Sequence, residues 1–160
     1  MSFLENRELF TSWLGHEISG SVSEGCPQGG VLSPLLWSLV VDGLLRVLSG
    51  MGIRAIGYAD DIAILARGAY EEVLSELVQT ALDKAAEWRS DESLSIQGDE
   101  TIAMVFTRKY KVKALQEMEL GVTRIPHVGY TKYLGMILDK KMSWKRHLED
   151  KCKKAIVTFW

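Results

Sequence analysis

Between Tyr70 and Arg89 the apolar residues Val73, Leu74, Leu77, Val78, Ala81, Leu82, Ala85 and Trp88 recur at helical spacing. A helix of that length with one apolar stripe must cover the stripe, and the rest of the chain offers mostly short strands to do it. Residues 7–14 and 17–22 read as strands around Gly15-His16. Residues 53–58 and 62–66 flank Ala59-Asp60-Asp61 as a hairpin, and the second run is so continuously apolar that it predicts burial on both faces. A further pair, 94–96 and 101–106, flanks 97–100, and strands follow at 122–125 and 132–138. Ser33-Pro34 opens another helix, with Ser as the cap and Pro in the first turn, running to about Leu48 before Gly50 and Gly52 end it. A short helix is expected at 109–117, and Ser143 is placed to cap a last helix that continues to Trp160. The expected class is α+β, with antiparallel strands packed on helices.

Composition narrows the setting. The chain has 160 residues, enough for one domain or a piece of one, and 47% of them are apolar, which excludes wholesale disorder. The longest apolar stretch, 31–48, is broken by Ser33, Pro34, Ser38, Asp42, Gly43 and Arg46, so no membrane span is expected. The first ten residues are charged and hold no signal core, so an intracellular protein is expected. Cys26 and Cys152 lie far apart without metal-type pairing and read as reduced, buried thiols. The three histidines, His16, His127 and His147, have no ligand spacing, and the five tryptophans read as core residues, with base stacking the alternative for Trp144. Net charge is −2, which does not announce a nucleic-acid binder, but the charge is uneven. Residues 69–100 are acidic, 108–113 carry four cations in six positions, and 140–154 hold seven Lys or Arg against Glu149 and Asp150. Such runs are ordinarily solvated helix faces, and they can also meet phosphates.

Two constellations carry chemistry. Asp60 and Asp61 put adjacent carboxylates on a tight turn, where like charges repel and a nearby cation relieves them. Consecutive strand residues point to opposite faces, so one of the two should bind an ion directly while the other assists. Oxygen-only donors suit a hard cation such as Mg²⁺. Taken alone, an Asp-Asp turn is ordinary turn chemistry. The second constellation is Gly25-Cys26-Pro27-Gln28-Gly29-Gly30-Val31-Leu32-Ser33-Pro34. Its glycines admit close backbone approach, Gln28 offers a donor and an acceptor, and the helix start that follows presents free N–H groups to an anion. The bland alternative is a capped strand-to-helix loop, and the string is too particular for that.

The string resembles motif B of reverse transcriptases, and its form GCPQGGVLSPLLW is similar to LINE-type, non-LTR elements of the jockey group. About thirty residues on, GYADDIAILARG resembles motif C, the Tyr-x-Asp-Asp box. Residues 94–109 look like motif D, 132–144 like the primer-grip motif E, and LENR at 4–7 matches a segment before motif B. The resemblance implies a polymerase palm over 1–107, a primer-grip region over 108–144 and the start of a truncated C-terminal helix over 145–160. It implies RNA-directed DNA polymerisation with Mg²⁺, or Mn²⁺ in its place, acting on an RNA template, a DNA primer and deoxynucleotides, in a nuclear or cytoplasmic setting. Asp60 would be the main metal ligand with Asp61 beside it, and Tyr58 would line the site near the primer end. Pro27, Gln28 and Gly29 would shape the nucleotide and template pocket. Leu134 and Gly135 would lie in the primer-positioning hairpin, and the basic C-terminal helix would approach the duplex.

Two departures stand out. The family holds two metals between carboxylates of two motifs, and this chain has no Asp before Asp42, which reads as a structural or surface acid. The fingers and the first palm aspartate would belong to the rest of a parent polyprotein, leaving this chain inactive by itself. In motif D, Glu100 stands where the family usually carries Lys. Two non-enzymatic alternatives follow: a nucleic-acid-binding remnant, or the inert product of a decaying copy.

Overall fold

A computed structural model describes residues 7–22, 25–27, 29–92, 94, 96–109 and 115–158, in two compact units, Met1–Ala63 and Ile64–Trp160. The architecture is α+β, with three helices and small antiparallel sheets among the described residues.

In the first unit, strands β1 (Arg7–Trp13) and β2 (His16–Val22) pair antiparallel in full register from Arg7↔Val22 to Trp13↔His16. The turn is Leu14-Gly15, one residue earlier than the sequence suggests, and both residues have positive φ, the signature of a type I′ turn. Trp13 is 70% exposed, so it is not the core residue its type implies. Helix α1 (Ser33–Gly50) follows, then β3 (Arg54–Tyr58), which forms a two-stranded sheet with β4 (Asp61–Leu65). Val41, Leu44 and Leu48 recur along the buried face of α1, and Ile53 at the entry to β3 is buried too. By length and composition alone α1 could cross a membrane. Its buried stripe and its exposed Asp42–Arg46 ion pair are those of an amphipathic surface helix instead. β4 is half-buried rather than buried on both faces, and Leu65 is exposed.

In the second unit, α2 (Glu71–Asp91) carries Glu71 and Glu72 in its first turn and Arg89 in its last, complementing the helix dipole. Its Leu82 packs with Met118, Leu120 and Ile125 from β5 (Met118–Leu120) and β6 (Thr123–Ile125), and Ile64, Val78 and Ala86 close around them. Polar side chains lock helix to strand. The Gln79 amide donates to Glu119 O and accepts from Glu119 N, both at 2.9 Å, as a neighbouring strand would. Ser75 Oγ accepts from Gln116 N at 3.1 Å.

Three expectations change here. Residues 101–106 are not a paired strand. Gly98–Glu100 is a 3₁₀ turn, and the chain beyond it is pinned only at points: Ala103 bridges His127, and Thr107 N donates to Lys140 O. Of the helix expected at 109–117, residues 110–114 lie outside the described residues, and 115–117 are not helical. The single strand at 132–138 is a hairpin, β7 (Tyr130–Tyr133) and β8 (Met136–Asp139), turning at Leu134-Gly135 with positive φ at both. Helix α3 (Lys145–Thr158) packs on β8, with no buried residue of its own. Cys152 on α3 is exposed and Cys26 half-buried, so neither is the fully buried thiol expected.

Candidate active site

The Pro27 loop is fastened to the first turn of α1. Pro27 O accepts from Gly30 N at 3.1 Å and from Ser33 Oγ at 2.6 Å, while Ser33 N donates to Gly30 O. Ser33 is therefore not the helix cap. The cap position is Leu32, without a side-chain bond, and the Ser33 hydroxyl ties the loop instead. Gly25 and Gly29 take positive φ, which supplies the backbone reversals this loop needs. Gln28 lies outside the described residues.

The Asp pair sits on the next hairpin. Tyr58 ends β3 and is 62% exposed, Ala59 and Asp60 form the turn, and Asp61 opens β4. The turn is two residues long rather than three. Asp60 is thus in the turn and Asp61 in the strand. Both side chains are exposed, and among the described residues neither carboxylate makes a hydrogen bond or ion pair. Two free, adjacent carboxylates fit a hard cation, and no third carboxylate, His or Cys joins them among the described residues.

Helix α1 positions this turn at two points. Trp37 Nε1 donates to Ala59 O at 2.5 Å. Four residues on, a Cβ at Gly57 would stand 3.1 Å from Val41 Cγ1, so glycine lets β3 lie close to the helix. The turn therefore lies beside the beginning of α1, the end that also holds the Pro27 loop. Motifs 27–34 and 58–61, thirty residues apart in sequence, share one helix. Trp37 and Gly57 were not legible as site-building residues, since Trp37 reads as a core aromatic and Gly57 as a strand glycine.

Leu134 and Gly135 lie in the second unit, at the tip of β7–β8. The segment after β8 is gathered around Asp139. Its carboxylate accepts from Ser143 Oγ at 2.8 Å, from Ser143 N and from Lys141 N. Met142 and Trp144 nearby both hold positive φ, a strain these bonds offset. Ser143 reaches Lys145 N only at 3.5 Å, so its main partner is Asp139 and it is not a close cap of α3. His147 Nδ1 accepts from Ile137 N at 3.2 Å, and the Arg146 guanidinium sits 4.3 Å over the Tyr130 ring, tying α3 to the hairpin.

The Ser143 hydroxyl, then the backbone N–H groups of Ser143 and Lys141, hold the Asp139 carboxyl below its ordinary value. A lowered folded value means the contribution is fully present above the unfolded value, about pH 4, and is lost as pH falls through the folded one. The protection factor of the Ser143 amide is expected to fall below about pH 4 and to be low at neutral pH in Asp139→Ala. An amide equally protected at pH 7 and at the acid limit would contradict this role.

The model of the family described as reverse transcriptase (RNA-dependent DNA polymerase) matches residues 4–138, and this chain belongs to that family. It is 30% identical over 129 residues to a Retrovirus-related Pol polyprotein from type-1 retrotransposable element R1 2 of Nasonia vitripennis, covering 78% of this chain and 31% of the relative. A second R1 Pol polyprotein of Nasonia vitripennis is 32% identical over 75% of this chain and 37% of its own length. The RNA-directed DNA polymerase from mobile element jockey of Drosophila funebris is 28% identical over 92% of this chain and 16% of its own length. The chain thus spans between about a sixth and about a third of these relatives, which come from non-LTR elements, as the motif resemblance implies. No solved structure matches.

Proposed function

We propose that this chain is a palm segment of an RNA-directed DNA polymerase, with Asp60 and Asp61 as its contribution to the metal site. The observation that carries this is the turn itself: two exposed carboxylates, unpartnered among the described residues, on a turn held to α1 by Trp37. Asp60, in the turn, is the direct ligand, and Asp61 assists from the first position of β4. Mg²⁺, or Mn²⁺, bound there would supply charge stabilisation to the attacking 3′-oxygen and the leaving pyrophosphate. Tyr58 lines the primer end. Pro27, Gln28 and Gly29 shape the pocket for the deoxynucleotide and the template base. Residues 1–107 act as palm and 108–144 as primer grip, with Leu134 and Gly135 at its tip. Residues 145–160 begin a C-terminal helix whose cations face the primer–template duplex. The setting is intracellular, nuclear or cytoplasmic.

The complementary palm aspartate and the fingers come from sequence outside this chain, which has no Asp before Asp42. The purified chain, given an RNA template, a DNA primer, deoxynucleotides and Mg²⁺, is expected to extend nothing. Extension that Asp60→Asn abolishes would overturn that part of the proposal. A second reading, a nucleic-acid-binding remnant, is favoured by the exposed Lys140, Lys141, Lys145, Lys151, Lys153 and Lys154. It requires the same preparation to bind a primer–template duplex with an affinity that falls steeply with salt.

A further inference from the structure

Ala59 has φ +51, a left-handed conformation that costs an L-residue with a Cβ roughly 1–2 kcal/mol. Asp60 does not share the positive φ, so the strained position is the first of the two turn residues, where glycine would be unstrained. This chain has Ala there. Among the described residues one side chain holds the Ala59 peptide: the Trp37 indole, donating to its carbonyl at 2.5 Å from the fifth residue of α1. The Ala59 carbonyl belongs to the peptide that leads into Asp60, so its orientation sets the direction in which the backbone delivers both carboxylates. Ser33, Leu32 and the Pro27 loop fix the start of the same helix, so Trp37 stands on a tethered base.

We infer that Trp37 is a positioning residue for the Asp pair. Its indole N–H selects the left-handed Ala59 and thereby presents Asp60 and Asp61 together, and its ring touches no reacting group. The inference rests on the metal-binding role of Asp60 and Asp61, and it deepens that role by naming what aims them. It also separates a hydrogen-bond role from bulk packing, because Phe keeps the aromatic body and loses the donor. Glycine at position 59 adopts positive φ without strain, so it should make the brace dispensable.

The test uses the 160-residue chain with Mn²⁺ as the probe, titrated by electron paramagnetic resonance, alongside amide and indole NMR. Trp37→Phe is expected to weaken Mn²⁺ binding roughly five- to thirtyfold, the equivalent of the turn's strain. Ala59→Gly in that background should restore at least half of the loss. The Trp37 indole proton should exchange slowly in the parent, and the Asp60 and Asp61 amide shifts should move in Trp37→Phe and return in the double variant. Mn²⁺ binding and amide shifts unchanged in Trp37→Phe, or a double variant no better than the single one, would overturn the inference. Should Asp60→Asn/Asp61→Asn bind Mn²⁺ as the parent does, the metal role itself fails. The brace is then judged on the amide shifts alone, where movement and return uphold it and constancy overturns it.

Discussion

In a polymerase that contains this segment together with its upstream palm, Asp60→Asn is expected to lower primer extension about a thousandfold or more. Asn keeps the size and the turn propensity of Asp, so the two-residue turn and its bond to Trp37 should persist. What is lost is one anionic oxygen donor to a divalent cation, and metal-assisted charge stabilisation is worth several kcal/mol. Asp61→Asn should cost less, because Asp61 opens β4 and is directed differently from a residue in the turn itself. The measurement is single-turnover extension with saturating template and primer, run in Mg²⁺ and again in Mn²⁺. Equal losses for the two variants would make them joint ligands, and an unimpaired Asp60→Asn would remove the hairpin from the metal site altogether. Folding is controlled by the melting curve of each variant.

The sequence foretold the elements with strong periodicity and missed those built from unusual turns. α1 and α2 stand within a few residues of where their apolar stripes put them, because each stripe is long and its ends are marked by Pro, Gly or charge. Two hairpins turn on Leu-Gly, at 14–15 and 134–135, with both residues at positive φ. Turns of this type ordinarily announce themselves by Asn-Gly, so an apolar Leu disguised the second one as the middle of a strand. β5 is three residues long, and only its alternation of buried Met118, exposed Glu119 and buried Leu120 marks it, too short a pattern to stand out without the helix it covers. The Asp pair and the Pro27 loop were legible as motifs. That they share α1 was not, since it depends on one indole–carbonyl bond and on one glycine beside Val41. The role of Ser33 was misjudged for a related reason. A serine before proline is a good cap by local rules, but here its hydroxyl reaches a carbonyl six residues back.

Gly98→Ala is expected to destabilise the second unit by about 1–3 kcal/mol, the usual cost of overpacking. A Cβ at that position would stand 2.8 Å from Thr123 Cβ and Oγ1 and 3.0 Å from Cγ2. Those atoms are not the far end of a flexible chain: the Thr Cβ moves only if β6 moves, and β6 carries Ile125 of the buried cluster. Glycine is thus required at Gly98 for contact rather than for backbone freedom, since its φ is not positive. The same turn holds Glu100, whose carboxylate receives the Gln97 amide at 2.8 and 3.1 Å once that amide presents its nitrogen. Displacing the turn from β6 therefore also displaces Glu100. Denaturant unfolding of the chain should show a lower midpoint with an unchanged slope. Thr123→Gly removes all three clashing atoms, so Gly98→Ala/Thr123→Gly should be more stable than the sum of the two single losses, by roughly 1 kcal/mol or more of coupling. Additive losses would mean that the loop gives way instead of the strand, and that the turn is not seated on β6 as closely as Gly98 permits.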